Sequence, residues 1–152
     1  MATTDYMLSP WGVLAVTFDQ YSLVGIDWSH RSRRVTTTSA PLLVEARRQF
    51  SAYFDRKLKL FDLPLRLSGT AFQIKVWQAL GRIPYGSLVR YGELALQLHT
   101  SARAIGNACR ANPLLIVIPC HRVVASQGIG GFGGQTQGRL IELKNALIQH
   151  EC

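Results

Sequence analysis

The longest uninterrupted apolar run in the chain, Leu114 to Pro119, stops at Cys120-His121-Arg122. Leu-Leu-Ile-Val-Ile is too short for a core helix and ends in a run of β-branched residues, so it reads as a fully buried strand. A strand that ends on a thiol, an imidazole and a guanidinium is where chemistry is to be sought first. The same run is far short of the ~18–20 apolar residues that a membrane span needs. The N-terminus also lacks a basic-then-apolar signal pattern, so the expectation is a soluble, intracellular, cytoplasmic protein with no membrane partner.

The elements around this run are legible by period and punctuation. Gly12–Phe18 and Leu23–Trp28 are rich in β-branched and aromatic residues and flank the short segment Asp19–Ser22, which predicts an antiparallel hairpin. A basic turn, His30–Arg34, follows. Leu42, Leu43, Ala46, Phe50, Tyr53 and Phe54 recur at helical spacing behind Pro41, which predicts an amphipathic helix against the sheet. Residues 55–68 read as a short edge strand or as the connection between two subdomains, with a boundary near Gly69. Beyond it Thr70 caps a helix through Phe72, Val76, Trp77 and Leu80 that stops at Gly81. Tyr91–Leu98 and Ala102–Arg110, split by a polar turn whose Ser101 can cap the second segment, have helix-turn-helix proportions. Leu140, Leu143, Leu147 and Ile148 predict a last helix.

Charge narrows the partners. Seventeen basic residues against nine acidic ones give a net charge of +8, which favours a polyanion, nucleic acid before anionic membrane. From Leu94 to Ile141 the chain carries Arg103, Arg110, Arg122 and Arg139 and no carboxylate, so the positive field concentrates in the second half. The small residues Ala102, Ala104, Gly106 and Ala108 beside Arg103 either pack against a neighbour or let a helix approach a surface closely. The three cysteines, Cys109, Cys120 and Cys152, cannot all pair and form no CxxC, which points to a reducing compartment and to no metal site.

A thiol attacks as thiolate and needs a base or cation to become one. His121 is adjacent to Cys120, but adjacent residues of an extended chain face opposite ways, so contact requires a turn at Pro119 or a water between them. The alternative is a buried cysteine beside a surface histidine. Six glycines between 128 and 138 surround Phe132, as a close-approach loop or lid, or as an unstructured loop; no Walker lysine follows them. Glu151 is either solvated or the carboxylate that orients His121.

Arg90-Tyr91-Gly92-Glu93-Leu94-Ala95, Ala102-Arg103-Ala104-Ile105-Gly106, Asn112-Pro113, Ile118-Pro119-Cys120-His121-Arg122-Val123 and His150-Glu151, in this order and spacing, closely resemble the O6-alkylguanine-DNA alkyltransferases. The resemblance is strong from about Thr70 to Glu151 and weaker before it, where Ser9-Pro10-Trp11-Gly12 resembles the family's opening strand. It implies an α/β N-terminal domain over 1–68, a small antiparallel sheet plus helix of ribonuclease-H-like kind. A mostly α, winged helix-turn-helix domain over 69–152 binds DNA and accepts the alkyl group. The implied reaction is cofactor-free, stoichiometric, irreversible transfer of an alkyl group from O6-alkylguanine, and from O4-alkylthymine, in double-stranded DNA to Cys120. His121 takes the thiol proton through a water and Glu151 holds the imidazole. Tyr91 donates to guanine N3 and helps flip the nucleotide from the minor groove, and Arg103 fills the vacated space. Asn112 braces the turn around the thiol, Val123, Phe132 and Gly133 line the base pocket, and Ala102, Ala104 and Arg110 contact DNA.

The sequence departs from that pattern at several points. Cys109 precedes Arg110 where larger or differing residues are usual, and Phe132 replaces a tyrosine. Gln135–Arg139 makes a longer loop, and Lys144-Asn145-Ala146 stands for Lys-Glu-Trp. A monomer is the default expectation, with cooperative assembly on DNA open. A transcriptional role for the same helix-turn-helix and a Cys–His hydrolase are the competing classes.

Overall fold

A computed structural model of the chain describes residues 2–29, 38–126 and 138–152. These residues form two compact units, one of Met1–Ser68 with Pro113–Leu115 and one of Gly69–Asn112 with Ile116–Cys152.

The first unit is a three-stranded antiparallel sheet in the order β1 (Thr3–Ser9), β2 (Gly12–Phe18), β3 (Leu23–Trp28), with helix α1 (Pro41–Phe54). Pairs such as Met7 with Leu14, Leu14 with Trp28 and Val16 with Ile26 set the register. This register puts Leu14, Val16, Ile26 and Trp28 on the buried face. The β2–β3 turn is closed by Asp19, whose Oδ1 accepts from the backbone N–H groups of Tyr21 and Ser22 at 2.9 and 2.7 Å. Strand β1 goes unread in the sequence because its polarity is inverted. Asp5 is buried, where it is paired with Arg47 of α1, while Leu8 on the opposite face is 67% exposed. Ser9-Pro10-Trp11-Gly12, expected as an opening strand, is instead the end of β1, a turn and the start of β2.

Helix α1 buries Leu43, Ala46, Gln49, Phe50 and Tyr53. The Gln49 amide donates to the Asp62 carbonyl and accepts from the Asp62 N–H, at 2.9 and 2.8 Å, and so ties down the segment after the helix. That segment, 55–68, is a connection rather than a strand, with a single parallel bridge from Leu65 to Leu23.

The second unit holds α2 (Ala71–Leu80), β4 (Val89–Arg90), α3 (Tyr91–Gln97), α4 (Ala102–Arg110), a 3₁₀ turn (Cys120–Arg122), β5 (Val123–Val124) and α5 (Arg139–His150). Helix α2 begins in a reciprocal cap: the Gln73 N–H donates to Thr70 Oγ1 and the Thr70 N–H to Gln73 Oε1, at 3.1 and 2.9 Å. Helix α4 begins with the Ala104 N–H donating to Ser101 Oγ at 3.1 Å. Trp77 Nε1 donates to the Ala108 carbonyl at 2.9 Å and fixes α2 against α4. Strands β4 and β5 pair in parallel, Val89 with Val123.

Leu114–Ile118 is not the buried strand its composition suggests. Leu114 makes one parallel bridge with Ile26, and the Ile26 N–H donates to the Pro113 carbonyl at 2.8 Å. At Ile116 the backbone has φ 73°, the left-handed region that β-branched residues avoid, and the chain leaves the ladder there. Leu114, Ile116 and Ile118 are nonetheless buried, so packing rather than strand pairing accounts for the apolar run.

Candidate active site

The turn at Pro119 is an inverse γ-turn: φ −82° and ψ 65° let the Cys120 N–H donate to the Ile118 carbonyl at 2.8 Å. Asn112 Nδ2 donates to the same carbonyl, also at 2.8 Å, so the residue before the turn is held from two directions. The chain then coils into the 3₁₀ turn that carries Cys120, His121 and Arg122, all three buried.

His121 is fully buried, and its Nε2 lies 2.8 Å from Glu151 Oε2, at the C-terminal end of α5. Arg122 grips the same carboxylate with two bonds, Nε to Oε1 at 2.8 Å and Nη2 to Oε2 at 2.9 Å. A carboxylate facing a guanidinium only accepts, so the proton of that imidazole sits on Nε2. Among the described residues His121 Nδ1 has no hydrogen-bond partner. Burial lowers the His121 pKa below its ordinary value; Glu151 pulls it back up, while Arg122 and Lys144 lower it further. The resting imidazole is therefore neutral, with a lone pair on Nδ1.

Burial pushes the Cys120 thiol up, against the Asn112 hydrogen bond and the Lys144 charge. Burial, with Cys120 adding to it, raises the Cys109 thiol to about 12. Lys144 is fully buried on α5, and burial lowers its ammonium to about 8. Its Nζ lies 3.4 Å from the Tyr91 hydroxyl and 5.5 Å from the centre of the Tyr91 ring. Burial raises the Tyr91 hydroxyl as well, with Cys109 and Cys120 adding to it.

Tyr91 also lines a groove of about 550 Å³ with Gly92, Ala102, Arg103, Gly106 and Ser126. A Cβ added at Gly92 or Gly106 would meet nothing within 4 Å, so both glycines widen it. Arg103 and Arg110 are exposed, and Ala102 is exposed on the groove. Ala104 and Arg110 do not line it, and neither does Val123, which is fully buried in β5. Phe132 and Gly133, the basic turn His30–Arg34 and most of the Gln135–Arg139 loop lie outside the described residues. Among the described residues no three His, Cys, Asp or Glu side chains are grouped to hold a metal ion. No described helix is long and apolar enough to cross a membrane.

Residues 71–152 match the family model of the 6-O-methylguanine DNA methyltransferase DNA-binding domain, and residues 3–67 that of its ribonuclease-like domain. The chain belongs to the O6-methylguanine DNA methyltransferase family. It is 37% identical over 155 residues to a methylated-DNA–protein-cysteine methyltransferase of Haemophilus influenzae, an alignment covering 96% of this chain and 84% of the relative. The constitutive enzyme of that name from Bacillus subtilis is 40% identical over 129 residues, 83% of this chain and 76% of that one. Among solved structures, the Mycobacterium tuberculosis O6-methylguanine methyltransferase superimposes with a TM-score of 0.86 at 35% identity, covering 99% and 93% of the two chains. The same organism's protein in complex with DNA gives 0.81 at 36% identity, covering 97% and 91%.

Two residues of this methyltransferase site go unassigned in the sequence. Arg122 is counted there only among the four arginines of the positive second half, whereas its charge is neutralised by Glu151. Lys144 reads only as the retained first residue of the last-helix triplet, with no role given to it. The signal that could have found it is its place in the apolar stripe of α5, between Leu143 and Leu147, where a charged residue needs a reason.

Proposed function

We propose that this methylated-DNA–protein-cysteine methyltransferase repairs O6-methylguanine in DNA by moving the alkyl group onto Cys120 Sγ. The sulfur–carbon bond forms as the O6–carbon bond breaks. The thiol proton passes through a water to His121 Nδ1; the guanine keeps the electron pair of the broken bond, is stabilised by a hydrogen bond that the Tyr91 hydroxyl donates to N3, and takes its proton from water. The product is a thioether, a bond that water does not cleave, so each molecule reacts once. The observation that carries this reading is a buried thiol next in the chain to a buried imidazole whose Nε2 is held by Glu151, while Nδ1 has no partner among the described residues. Asn112 braces the turn that presents the thiol.

Such a thiol cannot reach O6 inside a duplex, so the nucleotide is turned out of the minor groove into the groove beside Tyr91. Arg103 takes its place in the stack, and Gly106 and Ala102 give α4 the slim face that a minor-groove helix needs. Arg110 contacts phosphate, and Phe132 and Gly133 complete the pocket. The chain acts as a monomer without cofactor, and O4-alkylthymine is a second substrate.

The test is intact mass with peptide mapping after incubation with excess duplex DNA carrying one O6-methylguanine. One added methyl on Cys120, saturating at one equivalent and absent in Cys120→Ser, is the expected result. Methyl found on Cys109 or Cys152 moves the acceptor, and DNA binding with no added mass leaves a damage sensor.

A further inference from the structure

Buried ion pairs rarely stabilise a fold more than apolar side chains of the same volume would, so the Arg122–Glu151 pair calls for another reason to be there. Its setting is specific. Arg122 places Nε and Nη2 on the two Glu151 oxygens and donates Nη1 to the Ile83 carbonyl at 2.6 Å. The guanidinium carbon lies 5.8 Å from the Tyr85 ring centre, and the Tyr85 hydroxyl donates to the His150 carbonyl at 3.4 Å. Gly86, at φ 80°, approaches so closely that a Cβ there would stand 3.1 Å from the Glu151 carbonyl oxygen. The turn 83–86 thus grips both the guanidinium and the backbone that carries the carboxylate.

We propose that Arg122, held by this turn, is a positioning residue for alkyl transfer: it keeps Glu151 anionic and oriented, and thereby keeps the His121 proton on Nε2 and the lone pair on Nδ1. The inference rests on the reading of Cys120 as acceptor and His121 as its base. The groups acting on the imidazole are Glu151 and Lys144 from α5 and Arg122 from its own turn, in which Cys120 is the preceding residue. Without Arg122 the buried carboxylate takes up a proton and can donate it to Nε2. The imidazole proton then sits on Nδ1, and the thiol faces a nitrogen that cannot accept.

The experiment is a double-mutant cycle on the single-turnover rate of methyl transfer from duplex DNA carrying one O6-methylguanine, followed by intact mass from pH 6 to 8.5. DNA affinity is measured in parallel. Arg122→Met and Glu151→Gln should each slow transfer by about 100-fold or more at unchanged DNA affinity. The double variant should be no slower than Glu151→Gln alone. Losses that multiply would make Arg122 a merely structural residue and overturn the proposal. Should Arg122→Met fail to fold, Arg122→Gln removes the charge and keeps a polar donor. There the ¹⁵N shifts of His121 read the tautomer directly: Nε2–H in the wild type and a mixture in the variant support the proposal, and the same tautomer in both overturns it. Failure of the underlying reading looks different, because Cys120→Ser would then still take up the methyl group.

Discussion

His121 and Lys144 are both buried bases, and they tilt the stability of the protein in the same direction along the pH axis. Burial sets the folded pKa of His121 below its ordinary 6.5. Between that folded value and 6.5 the unfolded chain binds more protons, so stability falls as pH drops through 6.5, by up to about 1.4 kcal/mol per pH unit. Urea midpoints between pH 7.5 and 5 should show this decline in the wild type and a flatter profile in His121→Asn. For Lys144 the folded value of about 8 lies below its ordinary 10.5. The cost of burying the charged ammonium is fully felt below about pH 8 and is relieved as pH rises towards 10.5. Lys144→Met should therefore raise stability at pH 7 by on the order of 1–2 kcal/mol. That gain should shrink as the same melts are repeated towards pH 10.5, and a gain constant with pH would mean that the ammonium is not held at a cost. The Cys-His dipeptide and Glu151 were legible in the sequence because their chemistry is written in residue type. Arg122 and Lys144 were not, because what defines them is burial beside partners far along the chain, 29 residues away for Arg122 and Glu151 and 53 for Lys144 and Tyr91.

At the scale of elements, legibility followed local signals. Helices α2 and α4 could be placed from Thr70 and Ser101, since a cap is a contact between near neighbours. Strand β1 escaped because its buried face carries Asp5 and Ser9, and alternation is read from apolar residues. The run 114–118 misled for the opposite reason: its apolar residues are buried, but the positive φ at Ile116 breaks the ladder, and no pattern of side chains reveals a backbone angle. The turn 83–86 lies between these cases. Its Gly86 holds φ 80° and closely approaches Glu151, which is hydrogen-bonded to His121, so Gly86→Ala pays twice, in backbone strain and in displacement of Glu151. We expect a loss of about 1–2 kcal/mol in thermal or urea melts, together with slower alkyl transfer. Lost stability with an unchanged transfer rate would show that the turn does not act on the relay.

For the molecule as a whole, the proposed transfer ends in a buried position. Cys120 is 4% exposed, so an added methyl group must be accommodated in packed surroundings. Overpacking of this kind costs about 1–3 kcal/mol. The methylated protein should melt lower, by roughly 2–4 °C for each kcal/mol, than the unmodified one in matched calorimetric scans, and equal melting temperatures would mean spare room at the sulfur. A different consequence follows from the short segment Pro113–Leu115, which belongs to the first unit although the residues on either side of it belong to the second. The edge of β3 takes its last hydrogen bonds from a stretch encoded well beyond the boundary at residue 68. A gene cut at that boundary would therefore yield a first half with a raw strand edge, open to self-association, and a second half trailing the piece that should have covered it. The two units are readable as separate domains, but they are not separable goods: evolution could recombine them only by carrying that tripeptide along.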